Sequence, residues 1–149
     1  MVDPVRQIVV GVDGSKSSID ALRWAVFQAE LTGATLHVIA AWPFPENATP
    51  FGIIADLPFD SDPRDEVRAR LDEVIATVVP QAMRARVRAE AVLGNAASAL
   101  LEAARTADLL VVGSRGRGAF AELLLGSVSG HCVRHATCPV VVVRHGGTG

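Results

Sequence analysis

Residues 7–15 read Gln-Ile-Val-Val-Gly-Val-Asp-Gly-Ser, QIVVGVDGS, and change character twice in nine positions. The β-branched run over Gln7–Val12 predicts a buried strand, and Gly11-Val12-Asp13-Gly14 predicts the turn that ends it. From Ser15 onward the pattern becomes helical. Ile19, Leu22, Trp24, Ala25, Val26 and Ala29 recur at spacings of three and four, as one helix face requires. Ser15 or Ser17 can cap that helix at its start, and Gly33 ends it. Thr35–Trp42 (TLHVIAAW) predicts the next buried strand. Strand, crossover helix and strand together make a parallel unit.

Outward from this unit the alternation continues. Helix is predicted over Arg64–Val79, Ala96–Arg105 and Gly126–His135, and strand over Arg86–Leu93, Asp108–Gly113 and Pro139–Arg144. Arg86–Leu93 alternates polar and apolar, as a strand near a sheet edge does. The segment from Pro43 to Pro63 holds five prolines and little periodicity, and reads as a long loop. Five strands alternating with four helices imply an α/β fold whose parallel sheet is covered on both faces. Right-handed crossovers favour a doubly wound arrangement. The 149 residues show no internal repeat, and residues 1–149 are expected to form one domain.

The composition narrows the function classes. Half the residues are hydrophobic and the formal charge is only −2, without a basic block, so nucleic acid is not an expected partner. Lys16 is the only lysine; the other thirteen cations are arginines. The two cysteines are too few for a disulfide framework. No apolar run approaches the ~20 residues of a membrane span, and the N-terminus lacks a signal-peptide core. A soluble, cytoplasmic protein without a membrane partner is expected.

In open α/β sheets a ligand sits beyond the carboxyl ends of the strands, where the winding reverses. With strand order 3-2-1-4-5, that point lies between strands one and four, whose ends are Gly11–Asp13 and Gly113–Gly116. The latter opens the segment Gly113–Ser127, GSRGRGAFAELLLGS, with four glycines and no lysine. Neither familiar nucleotide loop is present. The turn after strand one lacks G-x-G-x-x-G, and Ala119-Phe120 stand where a Walker loop needs Lys and Ser/Thr. Gly113 and Gly116 still allow close backbone approach. The helix starting at Gly126-Ser127 offers unpaired N–H groups that bind phosphate unaided. Ser127 and Ser129 can add hydroxyl donors; equally, Ser127 can simply cap the helix.

Other constellations are weaker. His131, Cys132, His135 and Cys138 are all zinc-competent types, but Cys132 points about 100° away from His131 on a helix, so packing is the expected role of the cysteines. Ser114 follows a strand without a partner histidine in an obvious position, and His37 lies inside a strand where it packs or caps the sheet. Val140–Val143 makes an apolar edge strand, which invites pairing with a second chain.

These residues resemble a known family. Gly113-x-x-Gly116, nine residues, then Gly126-Ser127 is similar to the ATP-binding signature of the universal stress proteins. VVGVDGS, Leu36-His37-Val38, DLLVVGSRGRG and CPVVVVR resemble that family too, over nearly the whole chain. The resemblance implies a Rossmann-like sheet of order 3-2-1-4-5, a homodimer, and ATP in the crevice. It implies Val12 and Asp13 at the nucleoside and Val38 as an adenine wall. Gly113, Gly116, Gly126 and Ser127 would wrap ribose and phosphates, with Val128 and Ser129 as further phosphate donors. Arg115, at a variable position of the signature, pairs with phosphate or is solvated; Arg117 is expected to be solvated. Asp13 can cap the turn and can also hold Mg²⁺ carried by the phosphates. No general base stands out, so a nucleotide-dependent stress-response binding or signalling module is expected. A slow nucleotide hydrolase or an adenylate-transferring enzyme is the alternative.

Overall fold

The computed structural model describes residues 5–42, 48–49, 52–53, 63–114 and 125–145. The elements run β1 (Gln7–Gly11), α1 (Lys16–Thr32), β2 (Thr35–Trp42), a short pair β3 (Ala48–Thr49) and β4 (Gly52–Ile53), and α2 (Pro63–Val78). They continue with a 3₁₀ turn (Gln81–Arg86), β5 (Val87–Leu93), α3 (Ala96–Ala104), β6 (Leu109–Gly113), α4 (Ser127–His135) and β7 (Val140–Val143). The main sheet has order β5-β2-β1-β6-β7, and every neighbouring pair is parallel. Counting only its own strands, that is 3-2-1-4-5, as the family resemblance implies.

Side-chain alternation divides the core in two. Ile8, Val10, Leu36 and Val38 point to one face, against Leu22 and Ala25 of α1 and Val67 and Leu71 of α2. Val9, Ile39, Leu110 and Val112 point to the other, against Leu100 of α3 and Cys132 of α4. Burial on both faces explains why β1 and β6 are apolar without interruption. β5 alternates because it is an edge strand, as expected.

Local chemistry sets the boundaries. Ser15 caps α1: its backbone is extended and its hydroxyl accepts the Ser18 N–H at 3.2 Å. Gly33 ends that helix at φ 77°, in the left-handed region that glycine tolerates. Pro63 opens α2, where a missing N–H costs nothing. Strand β1 stops at Gly11 rather than Val12, whose N–H instead donates to the Ile39 carbonyl at 2.9 Å. Arg86 does not begin a strand. It closes the 3₁₀ turn and sends its guanidinium to the Ala29 and Ala34 carbonyls, 3.4 and 3.3 Å away, at the end of α1. The antiparallel pair β3–β4 occupies four residues of the expected long loop; the remainder of Pro43–Asp62 lies outside the described residues.

Two contacts hold β6 beside β1. The Asp108 carboxylate accepts the N–H groups of Arg6 and Gln7 at 2.9 and 3.0 Å, pinning the starts of both strands. At the other end, Gly113 lies under the first turn of α1. A Cβ there would sit 2.6 Å from Ser17 Oγ and 2.7 Å from the Ser18 nitrogen. A Cβ on Gly11 would meet only the Leu100 side chain, 2.8 Å from Cδ1. Gly113→Ala is therefore expected to lower unfolding free energy by about 1–3 kcal/mol, because backbone must move. Gly11→Ala should cost less, because a leucine can change rotamer. Urea unfolding of both variants checks this, and equal losses would contradict it.

Candidate functional site

The carboxyl ends of β1 and β6 bound a crevice of about 60 Å³ that opens to solvent. Gly11, Val12, Asp13 and Ser18 line it from β1 and α1, and Ile39 from β2. Ala96 and Leu100 of α3, Val112 and Gly113 of β6, and Val128 and Ser129 of α4 complete it. Most of these are apolar or glycine, so the walls suit a flat apolar group. No lysine or arginine is among these lining residues.

The turn after β1 is locked by short polar contacts. The Asp13 carboxylate accepts the Ser15 N–H at 2.8 Å, an Asx-type turn. The Asp13 N–H donates to Ser18 Oγ at 3.2 Å, and that hydroxyl donates to the Ser15 carbonyl at 2.9 Å. Asp13 thus stabilises its turn, as one reading of the sequence has it, while facing the crevice.

On the other side, the Ser114 carbonyl gathers the return of the chain. It accepts the Gly126 N–H at 2.6 Å and the Ser129 hydroxyl at 2.9 Å. The Ser114 N–H donates to the Val143 carbonyl at 2.8 Å, joining the same junction to β7. The Gly130 N–H bonds the Gly126 carbonyl at 2.9 Å, closing the first turn of α4. Ser127, Val128 and Ser129 are the first three residues of that helix, so their N–H groups have no carbonyl one turn earlier.

The structure brings most of the expected site together. Val12, Asp13, Gly113, Val128 and Ser129 line the crevice, and Gly126 is buried beside it. Ser127 lines an adjoining polar depression of about 310 Å³ with Asn95, Ala97, Ser98, Val128 and His131. Arg115, Gly116 and Arg117 lie outside the described residues.

Four expectations need correction. Val38 does not wall the crevice. It is fully buried on the α1–α2 face, and strand alternation gives that wall to Ile39. Ser129 is not a spare hydroxyl donor: it is buried and bonded to the Ser114 carbonyl, with the Gly126 carbonyl at 3.2 Å as a second acceptor. Its backbone N–H is what it can offer a ligand. Ser127 does not cap α4, because Gly126 is the N-cap residue and Ser127, exposed, is the first helical one. The absent Cβ of Gly113 makes room for α1 rather than for a ligand. Leu100, Ala96 and Ser18 were not expected. No local signal marks them, because only packing of α1 and α3 over the strand ends brings them in.

The remaining reactive groups are occupied. His37 is buried within the sheet, its Nε2 2.7 Å from Glu90 Oε2 on β5. His131 and His135 set their rings 4.4 Å apart, centre to centre. Cys132 is fully buried among the sheet residues, and burial pushes its thiol up to about 11, with Cys138 adding to the shift. Cys138 is raised too, chiefly by burial. Among the described residues no three or more His, Cys, Asp or Glu gather as a metal site would.

Known proteins place the chain in context. Residues 4–144 match the universal stress protein family. The universal stress protein Rv2623 of Mycobacterium tuberculosis is 35% identical over 140 residues, which cover 92% of this chain and 47% of that protein. The chain spans about half the length of such relatives. A solved universal stress protein in complex with cAMP is 29% identical, with a TM-score of 0.66, covering 95% of this chain and 98% of its own. One from Archaeoglobus fulgidus, in complex with dAMP, is 20% identical with a TM-score of 0.59, covering 95% of this chain and 99% of its own. It shares the fold.

Two outcomes follow from the geometry. Ser129→Ala removes the hydroxyl bonded to the Ser114 carbonyl and should destabilise by about 1–2 kcal/mol in urea. Cys132 favours its protonated thiol in the folded state. Its stabilisation is complete below the ordinary thiol value of 9.0 and is lost as pH rises toward about 11. Unfolding midpoints measured from pH 8 to 11 should fall more steeply in the parent protein than in Cys132→Ala.

Proposed function

We propose that this chain, which belongs to the universal stress protein family, binds an adenine nucleotide in the crevice between β1 and β6, with ATP as the ligand. The observation that carries this is the pairing of apolar crevice walls with the open start of α4. Val12, Ile39, Leu100 and Val112 offer a slot for a flat base. The N–H groups of Ser127, Val128 and Ser129 offer phosphate donors at the positive end of a helix dipole. The similar protein in complex with cAMP supports an adenine ligand, and the signature Gly113-x-x-Gly116 to Gly126-Ser127 supports a phosphate chain.

Asp13 is the one carboxylate lining the crevice among the described residues. Its oxygens are the donors Mg²⁺ takes, so Asp13 would hold a metal carried in on the phosphates, where the ion would offset phosphate charge. Asp13, the carboxylate of the described lining, is committed to its turn through the Ser15 N–H and to the metal, so in this reading the bound nucleotide acts as a signal rather than as a fuel. The chain then serves as a cytoplasmic, nucleotide-dependent module of the stress response. β7 is a sheet edge carrying four partly buried valines, and a second copy joining along Val140–Val143 would cover it.

Calorimetric titration with ATP, AMP and cAMP tests the site. Gly126→Val should weaken nucleotide binding at least about tenfold by blocking approach to α4. Asp13→Asn should lower affinity mainly when Mg²⁺ is present. Unchanged affinity in a folded Gly126→Val variant, or no adenine nucleotide bound by the parent protein, would overturn the reading. Several ATP turnovers per minute would favour a hydrolase instead.

A further inference from the structure

We propose that Leu100 and Gly11 form a steric pair that sets the depth of the crevice, which makes Leu100 the residue that selects for an unsubstituted purine base. The inference rests on the adenine-nucleotide reading above and deepens it. Leu100 reaches from α3 to the end of β1. A Cβ on Gly11 would lie 2.8 Å from Leu100 Cδ1, 3.2 Å from Cδ2 and 3.5 Å from Cγ, and these are the three atoms nearest to it. The leucine therefore fills the space that a side chain at position 11 would need.

Both residues line the crevice, with Ile39 and Val112 as apolar flanks. Space here is tight, about 60 Å³ as the structure stands, against roughly 300–1,000 Å³ for an ordinary small-molecule pocket. A flat base enters such a slot edge first, and its depth of entry depends on the wall it meets. Ala96, one turn earlier on α3, is too short to set that limit. Leu100 is long enough. The walls at this end carry no charge, so the selection is by shape.

Packing dictates where Leu100 can move. It is 3% exposed and sits in the cluster of Val9, Ile39, Leu110, Val112 and Cys132, all buried. A close-packed cluster has no room for a displaced leucine side chain. The start of α3 is anchored, because the Asn95 side chain accepts the Ser98 N–H at 3.0 Å. The open direction left to Leu100 is the crevice. A methyl group at position 11 thus acts on the ligand through Leu100, which swings to another staggered rotamer and shortens the slot. Trimming Leu100 does the reverse: it leaves an apolar hollow that an apolar group on the base can fill.

Calorimetric titration of ATP and adenosine into the parent protein, Gly11→Ala, Leu100→Ala and the double variant tests the pair. N6-benzyl-ATP and 2-chloro-ATP serve as enlarged bases. Gly11→Ala should weaken ATP and adenosine alike, by about tenfold, the effect of overpacking by one methyl group. Adding Leu100→Ala to it should return both affinities to within about threefold of the parent, as expected of two residues that act through one contact. Leu100→Ala alone should bind at least one enlarged base about tenfold tighter than the parent does. Circular dichroism establishes that each variant is folded. Leu100→Val, shorter by one methylene, takes the place of Leu100→Ala if the latter does not fold, and should show the same trends at smaller size. An undiminished loss in the double variant, a loss confined to ATP, or enlarged bases bound alike with and without the leucine overturns the pair and leaves the crevice reading standing. Absence of adenine-nucleotide binding by the parent protein overturns both.

Discussion

The parallel ladder between β1 and β6 is the contact on which the rest of the molecule depends. Ile8, Val9 and Val10 pair in register with Leu109, Leu110 and Val111, residues a hundred positions away in the chain. Here the winding of the sheet reverses, so the helices after β1 and β6 leave to opposite faces and a gap opens between them. The gap is a consequence of chain direction and requires no special residue. What special residues do is keep the two strands level: Asp108 at one end, through the Arg6 and Gln7 N–H groups, and Gly113 at the other, under α1.

The site is then completed by one carbonyl. Ser114 follows β6 directly, and its oxygen takes both the Gly126 N–H and the Ser129 hydroxyl. This double acceptance fixes the first turn of α4 against the end of the sheet. The arrangement explains why the serine at position 129 is buried, whereas the serine at 127 faces solvent.

In the proposed reading, the described residues meet the phosphates with partial charges. Phosphate loops of the Walker type add a lysine to their backbone cradle. Among the described residues lining the crevice there is none, and the donors that remain are backbone N–H groups at a helix start. Such donors are fixed in direction and lose no rotamer freedom on binding.

Much of this was legible in the chain itself. The β-branched run at Gln7, the Ser15 cap, the Gly33 stop and the continuous valines of β6 and β7 are local signals, each set by propensity or period, and together they determined the α/β order and the parallel sheet. The placing of Gly11–Asp13 beside the end of β6 followed from the sheet order 3-2-1-4-5, which the family resemblance implied. Tertiary structure decided the finer assignments. Whether Val38 or Ile39 faces the crevice depends on which side of β2 the helices α1 and α3 cover, and a sequence with apolar residues at both positions carries no record of it. Whether Ser129 donates outward or to Ser114 depends on how closely α4 docks on β6. Leu100 and Ser18 enter the site only because α3 and α1 pack over the strand ends. Local residues determined the elements and their order, since these rest on short-range periodicity and backbone preference. Only packing between distant segments could choose which atoms face the crevice, since that choice rests on angles between elements and not on any one of them.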